Sequence, residues 1–460
     1  MSYTAPPHGF RTFIALWASQ SVSSFGTLLT FFALNIWLVQ EVYPLPEQQP
    51  QLGWALAATG LAIGFPATLI TPIAGAMADR LDRKRIMLTM DLVSGTIMAL
   101  TTYLILSGQM QIWLMLMLLS GLSVSYAFHR VAFDTSYAML VSDEQLPRAN
   151  GMMETAYSLG EFLSPAAAAA LIALPVLAQQ GALPGGLGNL LAGISNGTAL
   201  VMAIDTATFF LAATVLAFLT IPSPKRADLA QGGAKKPSIW SDVRFGAVYI
   251  WRRRPLLLLL LTVAIWNILT KMGVFLPVLV KVQLAADWAL RSMSYEAALA
   301  AMNMAMTAGG LAGGLLISLW GGAKRNRIMV LMLSLAATGL MQIWLGFSSH
   351  LSMAMGAIFL WQFAVPFSTT HSHAIWQSQV PREMQGRVFA IRRVVAFGLL
   401  PLGQLVAGLV VGMASPGIGL AVLGALIVLL CVGMLFNPTL MRVEDREYME
   451  RLAGEAAVGD

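Results

Sequence analysis

The sequence contains one cysteine in 460 residues, so no disulfide can form within the chain, and Cys431 lies in an apolar run where it serves as a small packing residue. Charge is scarce too. Only 11% of residues are Asp, Glu, Lys or Arg, against roughly a quarter in soluble domains. No GxxxxGK[ST] stretch occurs, which excludes ATP hydrolysis by a P-loop. No cofactor or metal site is expected. The first apolar run is longer than a signal-peptide core and lacks a small-residue cleavage site, so it reads as a retained span.

What the chain has in abundance is apolar surface. Hydrophobic residues make up 57% of it, gathered into runs of 18 or more, each able to cross a hydrocarbon core about 30 Å thick. The runs lie near 12–39, 52–78, 86–107, 112–141, 152–178, 198–221, 256–281, 296–320, 327–347, 352–379, 388–414 and 418–436. They predict an all-α membrane protein of twelve transmembrane helices in two pseudo-symmetric six-helix bundles. The divider is the polar stretch 222–255, read as a cytoplasmic linker between an N-terminal half (1–221) and a C-terminal half (256–437), with a tail at 438–460. Weak repeats support two halves. DRKRIML at 82–88 faces RNRIMVL at 325–331, and LPRANG at 146–151 faces VPREMQG at 380–386, each pair in corresponding loops.

The net charge of +6 follows from topology. With both termini cytoplasmic, every Lys and Arg except Arg130, Lys271, Lys281 and Arg291 falls in a cytoplasmic segment. Basic loops resist translocation, so this asymmetry sets the orientation and requires no nucleic-acid partner. Arg252, Arg253 and Arg254, beside a span, can attract anionic lipid heads.

The charges of GAMADRLDRKR, residues 75–85, follow directly on a long uncharged run. Gly75, Met77, Ala78, Asp79, Arg80, Arg83 and Lys84 resemble the GxLADRxGRRx signature of the major facilitator superfamily, with Asp82 where the family usually has Gly. DRLDRKRIMLTMDL, LVSDEQLPRANG and IDTATFFLA further resemble its macrolide-efflux-like and enterobactin-exporter-like branch. In the fifth span, Gly160, Ser164, Pro165, Ala168 and Ala169 resemble an antiporter motif with small residues in place of glycines. The resemblance implies a secondary transporter of the bacterial cytoplasmic membrane. Its expected substrate is an amphipathic small molecule (a drug, a macrolide-like natural product or a siderophore), exported by proton antiport and driven by the proton gradient. A monomer surrounded by lipid is expected. An importer, or a lipid or lysolipid transporter of the same fold, is the nearest rival.

The resemblance also implies a conformational latch of Gly75, Asp79, Arg80, Arg83 and Asp134. Asp79 would meet the positive end of span eleven, and Arg83 an acidic residue on span four, for which Asp134 is the candidate. Charge at a helix N-terminus contributes about 0.3–1 kcal/mol, enough to bias closely balanced states. The alternative is that these charges only stop transfer and anchor the loop.

An ionisable group inside a span costs at least about 2.5 kcal/mol and calls for a partner or a task. Glu161, near the middle of span five, reads equally as a proton carrier or as a carboxylate paired with a polar neighbour; Asp205 in span six is a second proton-coupling candidate. Candidates for lining a substrate cavity are Gln20 and Asn35 on span one, Arg130 on span four, Trp266, Asn267 and Lys271 on span seven, and Trp361 and Gln362 on span ten, since the family places those spans around the pathway. His371 and His373 read as packing residues. The 27 methionines and 12 tryptophans suit an adaptable apolar pocket and, equally, a lipid-facing surface.

Enzyme motifs fail on context. HRVAFD, residues 129–134, matches an HxxxxD acyltransferase pattern, but five helical steps leave His129 and Asp134 roughly 140° apart. Arg130 and Asp134, at i and i+4, are the better pair. GISNG, 193–197, lacks the strand that a nucleophile elbow requires. A membrane enzyme and a non-transporting scaffold stay as remote alternatives.

Overall fold

The computed structural model describes residues 8–78, 81–137, 139–142, 145–221, 239–380, 382–445, 447–449 and 451–452. Asp79 and Arg80 lie outside the described residues. Among the described residues every regular element is helical, and twelve helical segments are long and apolar enough to cross a membrane. In chain order, α1 spans Gly9–Trp37 and runs on as a π-turn through Val42. Then come α2 (Gln49–Ala78), α3 (Arg83–Leu106), α4 (Ile112–Tyr137), α5 (Leu146–Gln179), short α6 (Gly185–Ala192) and α7 (Gly197–Phe218). Next are α8 (Ile239–Arg252), α9 (Arg254–Leu269), α10 (Met272–Val282), α11 (Ala285–Leu290), α12 (Tyr295–Trp320) and α13 (Arg327–Gly346). The chain finishes with α14 (Leu351–Gln379), α15 (Arg382–Gly398), α16 (Leu400–Met413), α17 (Pro416–Leu435) and α18 (Pro438–Met441).

Local chemistry sets the helix ends. Asp82 caps α3 by accepting from the Arg85 amide at 3.1 Å, so the residue that departs from the signature glycine has a structural task. Asn196 caps α7 through the Thr198 and Ala199 amides at 2.8 and 3.2 Å. Gly321, at φ 78°, ends α12 in the left-handed conformation that a Cβ disfavours.

The chain forms two compact units, residues 1–44 with 58–233, and 45–57 with 234–460. In the first, α3 packs between α4 and α7, and α1 lies against α5 and α7. Its apolar core gathers Phe13, Leu16, Met87, Ala132, Leu140 and Leu216. In the second, α12 packs on α14, and α13 on α14 and α17. The start of α2 belongs to this unit, where Gln49 Nε2 donates to the Val411 and Ala414 carbonyls at 2.8 and 3.0 Å.

With lipid outside, apolar burial gains little between helices, so close backbone approach has to supply the packing. Glycines provide it. A Cβ on Gly424 would lie 2.6 Å from the Gly339 carbonyl oxygen, and one on Gly339 would lie 2.8 Å from that of Gly424. These two positions bring α13 and α17 into backbone contact.

The stretch read as a linker holds an ordered helix. In α8, Tyr249 and Ile250 are buried in the core of the second unit, whereas Trp251 is 73% exposed. Arg253 stacks over the Tyr249 ring at 3.7 Å, and Tyr249 donates to the Gln379 carbonyl at 3.2 Å. Span seven is likewise divided, because α9 ends at Leu269 and α10 starts at Met272.

Candidate functional site

The polar residues of the first unit fall into four groups. In the last turn of α2 Gly75 faces open space, and at the start of α3 Arg83 is buried. Its Nε donates to the Ala78 carbonyl at 3.3 Å, its Nη1 to the Thr135 carbonyl at 3.0 Å, and its Nη1 also lies 2.9 Å from Met139 Sδ. The expected partner, the Asp134 carboxylate, instead faces Arg130 at 3.8 Å, as their i, i+4 spacing favours. Arg83 therefore binds the backbone at the end of α4, because its own helix start places the guanidinium beneath those unpaired terminal carbonyls.

The second group is the exposed face shared by α4 and α5. Arg130 Nη1 donates to Tyr126 Oη at 2.9 Å and sits over that ring at 5.9 Å. From α5, Tyr157 interacts electrostatically with Tyr126, with Arg130 and with Glu161 one turn along. Glu161 is exposed, which leaves its carboxylate accessible at the edge of this patch.

The third group surrounds Asp205, which is fully buried on α7. Thr30 Oγ1 donates to Oδ2 at 2.8 Å, and Thr208 and Thr27 approach Oδ1 at 3.3 and 3.5 Å. Gly26 makes room for it, since a Cβ there would lie 2.7 Å from Asp205 Oδ1. Hydroxyls alone hold this carboxyl among the described residues.

The fourth group is one that residue-by-residue reading overlooked. Asp91 on α3 is buried, with Gln20 Nε2 of α1 at 3.2 Å from Oδ2 and His129 Nε2 of α4 at 3.2 Å from Oδ1. One turn further along the α3–α4 seam, Ser94 Oγ donates to Ser125 Oγ at 3.0 Å. Gln20, read from the sequence as a cavity-lining candidate, is a buried partner of a carboxylate. His129 and Asp134 turn to different partners, which removes the HxxxxD reading.

In the second unit, Trp266 is buried and donates from Nε1 to Thr338 Oγ1 at 2.9 Å. Trp361 is buried too, and its indole nitrogen has no hydrogen-bond partner among the described residues. Gln362 is half-buried with its side chain against Gly310. Asn35 donates to the Phe31 carbonyl of its own helix at 3.0 Å, and Asn267 to the Ala396 carbonyl at 3.4 Å. Lys271 sits at the break of span seven, ahead of α10, with Gly403 beside its Cε. Gln342 bridges that break by donating to the Leu269 carbonyl at 3.1 Å. His371 packs as expected: its Nδ1 lies 2.7 Å from the Phe367 carbonyl and its Nε2 accepts from the Ala323 amide at 2.9 Å. No group of three metal-ligating side chains occurs among the described residues.

Twelve helices long and apolar enough to cross a membrane, with the carboxyls of Asp91 and Asp205 buried among them, define a polytopic membrane protein. The chain belongs to the Major Facilitator Superfamily, which it matches over residues 16–403. It is 24% identical over 406 residues to macrolide efflux protein A of Streptococcus pyogenes, covering 86% of this chain and 88% of that protein. To the protein of that name from Enterococcus faecalis it is 25% identical over 362 residues, covering 76% of this chain and all of the relative. Among solved structures, the nucleoside transporter NupG (D323A mutant) aligns with a TM-score of 0.65 at 12% identity, covering 92% of this chain and 100% of that one. A bacterial homologue of the human lysosomal transporter Spinster aligns at 0.61 and 17% identity, covering 98% and 96%. These structural likenesses establish the fold.

Proposed function

We propose that this transporter exports an amphipathic small molecule from a bacterial cell by proton antiport, working by alternating access in the cytoplasmic membrane with both termini inside. It catalyses no chemical reaction on its cargo. The observation that carries the reading is Asp205, a carboxyl enclosed in the bundle, among the described residues, by hydroxyls alone. A structural ion pair would have supplied a cation, whereas a group that exchanges a proton needs only donors that tolerate both of its states. The patch of Tyr126, Arg130, Asp134, Tyr157 and Glu161 supports an amphipathic cargo, because it sets aromatic surface beside charge of both signs. The names of the macrolide-efflux relatives support a cargo of that class, and the distribution of basic residues supports the orientation.

Inverted membrane vesicles test the reading. With an acidic interior imposed, they accumulate erythromycin, and a protonophore abolishes the accumulation. Uptake that ignores the gradient refutes antiport, and accumulation only in right-side-out vesicles makes the protein an importer.

A further inference from the structure

We propose that Asp91, His129 and Gln20 form a second proton-binding site of the first unit, in which a carboxylate and an imidazole share one exchangeable proton. The site deepens the antiport reading and rests on it for its role in coupling.

The argument starts from burial. Asp91 is 3% exposed and Gln20 8%, and the His129 side chain 14%, so water is largely excluded from all three. The faces around the pair are accounted for. On α1, packed to one side, Gln20 is the polar group that reaches Asp91, and Arg11 lies far toward the start of that helix. On α7, which packs against α3, Asp205 is the sole ionisable group, and it is held by Thr27, Thr30 and Thr208. On α4, Arg130 engages Tyr126 and Asp134, and Asp134 acts on His129 only at longer range. On α3 itself, Arg83 is bonded at the turn, Lys84 to the Ala217 carbonyl at 2.8 Å, and Arg85, in the first turn of the helix, makes no ion pair with Asp91. No lysine or arginine therefore neutralises Asp91 among the described residues.

Without a proton to share, the pair carries one negative charge inside the bundle; with one, it carries none. A buried charge in a span costs about 2.5–3.5 kcal/mol, so the number of protons on the pair is tied to whether water reaches it. A helix movement that wets or dries the α3–α4 seam then loads or unloads one proton. The geometry is suited to a switch: His129 Nε2 lies 3.2 Å from Asp91 Oδ1 but off the line of a hydrogen bond, so a small ring rotation makes or breaks it. Phe133 lies against the imidazole in near-parallel planes, 6.1 Å between centroids, and restricts other ring movements. Gln20 donates to the other oxygen in either state, which holds the carboxyl in place while the proton comes and goes.

Position links the site to Asp205. Gln20, Ser23, Thr27 and Thr30 recur at i, i+3, i+7 and i+10 on α1, a single buried or half-buried face. Gln20 meets Asp91 at one end of this stripe, and Thr27 and Thr30 meet Asp205 at the other, roughly 15 Å away at the helical rise of about 1.5 Å per residue.

Two readouts on the full chain test the proposal, with wild type, Asp91→Asn, His129→Gln and Asp205→Asn. In lipid nanodiscs, the infrared bands of buried carboxyl, carboxylate and imidazole groups are followed together through a pH titration, so that the shared proton is seen on either partner. Asp91→Asn is expected to delete one pH-dependent component, Asp205→Asn to leave that component in place, and His129→Gln to delete its imidazole bands and alter the remaining carboxyl band. If Asp91→Asn titrates as wild type does, the site is overturned whatever transport shows. In proteoliposomes, Asp91→Asn should lose accumulation of erythromycin under an imposed pH gradient while still exchanging erythromycin at equal pH. Gradient-driven accumulation that survives Asp91→Asn overturns the coupling role and leaves the antiport reading intact. Loss of exchange as well makes the pair a structural tie and also overturns it. A wild type that shows the Asp91 component but no gradient-driven accumulation refutes antiport and leaves the proton site standing.

Discussion

The backbone contact between α13 and α17 makes a sharp prediction, because two glycines of α17 share a helix and differ in surroundings. Gly424 faces α13, where a Cβ would meet the Gly339 carbonyl at 2.6 Å, Ile343 Cγ1 at 2.9 Å and the Ile343 amide at 3.0 Å. Gly433, on the same helix, has nothing within 4 Å of that position. Gly→Ala raises helix propensity by about 1 kcal/mol at either site, so the intrinsic term cancels in the comparison. To bring the closest contact to an ordinary one, α17 must retreat by roughly 0.8 Å, and overpacking of this kind costs about 1–3 kcal/mol. Two of the three obstacles are backbone atoms, which cannot swing aside as a side chain would. Gly433→Ala is therefore expected to melt at or slightly above wild type, and Gly424→Ala below Gly433→Ala by the full packing term. That term corresponds to several degrees at about 2–4 °C per kcal/mol for a unit of this size. Thermal unfolding of the detergent-solubilised protein, followed by tryptophan fluorescence, measures it. If the two variants melt together, the glycines do not hold α13 and α17 in contact, and this account of the second unit is wrong.

Other perturbations probe the remaining groups. Arg83→Lys loses the fork that reaches both Ala78 and Thr135, and because hydrogen bonds from a charged donor contribute about 1.5–3 kcal/mol, it should destabilise the first unit measurably while Lys84→Arg does not. Trp266→Phe keeps the buried ring and removes the bond to Thr338, at a cost of about 1 kcal/mol read as a lower unfolding temperature; no change would place that bond outside the energetics. Outside the spans, the Leu351 amide, His350 and Arg291 hold the Asp287 carboxyl well below the usual carboxylate range. A depressed folded value means that the stabilisation is present above the ordinary carboxylate pKa of about 3.9 and is lost as pH falls through the folded one. Hydrogen exchange at the start of α14 should accordingly keep its protection down to about pH 4, with Asp287→Asn removing it at neutral pH.

What the sequence makes legible is whatever a single helix decides for itself. The apolar runs mark the twelve membrane-length segments because each must satisfy its own backbone, and the Arg130–Asp134 pair follows from one turn of one helix. Features that depend on a neighbour are hidden. The break in span seven falls at Thr270–Lys271, where no proline stands, and is bridged by Gln342 from another helix. Helix α8 sits in a basic, polar stretch and shows its apolar face only once Tyr249 and Ile250 find their core. The Asp91 site lies between these cases. Its members stand on α1, α3 and α4, and taken singly Gln20 reads as a cavity candidate and His129 as half of an implausible dyad. Taken together, they are polar groups inside apolar runs of one half of the chain, and each calls for a partner that its own helix does not offer. Since Gln20 and His129 reach Asp91 from two different helices, satisfying that requirement also fixes the register of α1 and α4 against α3. A site that sets helix register and changes charge with one proton couples protonation to helix position through the same contacts.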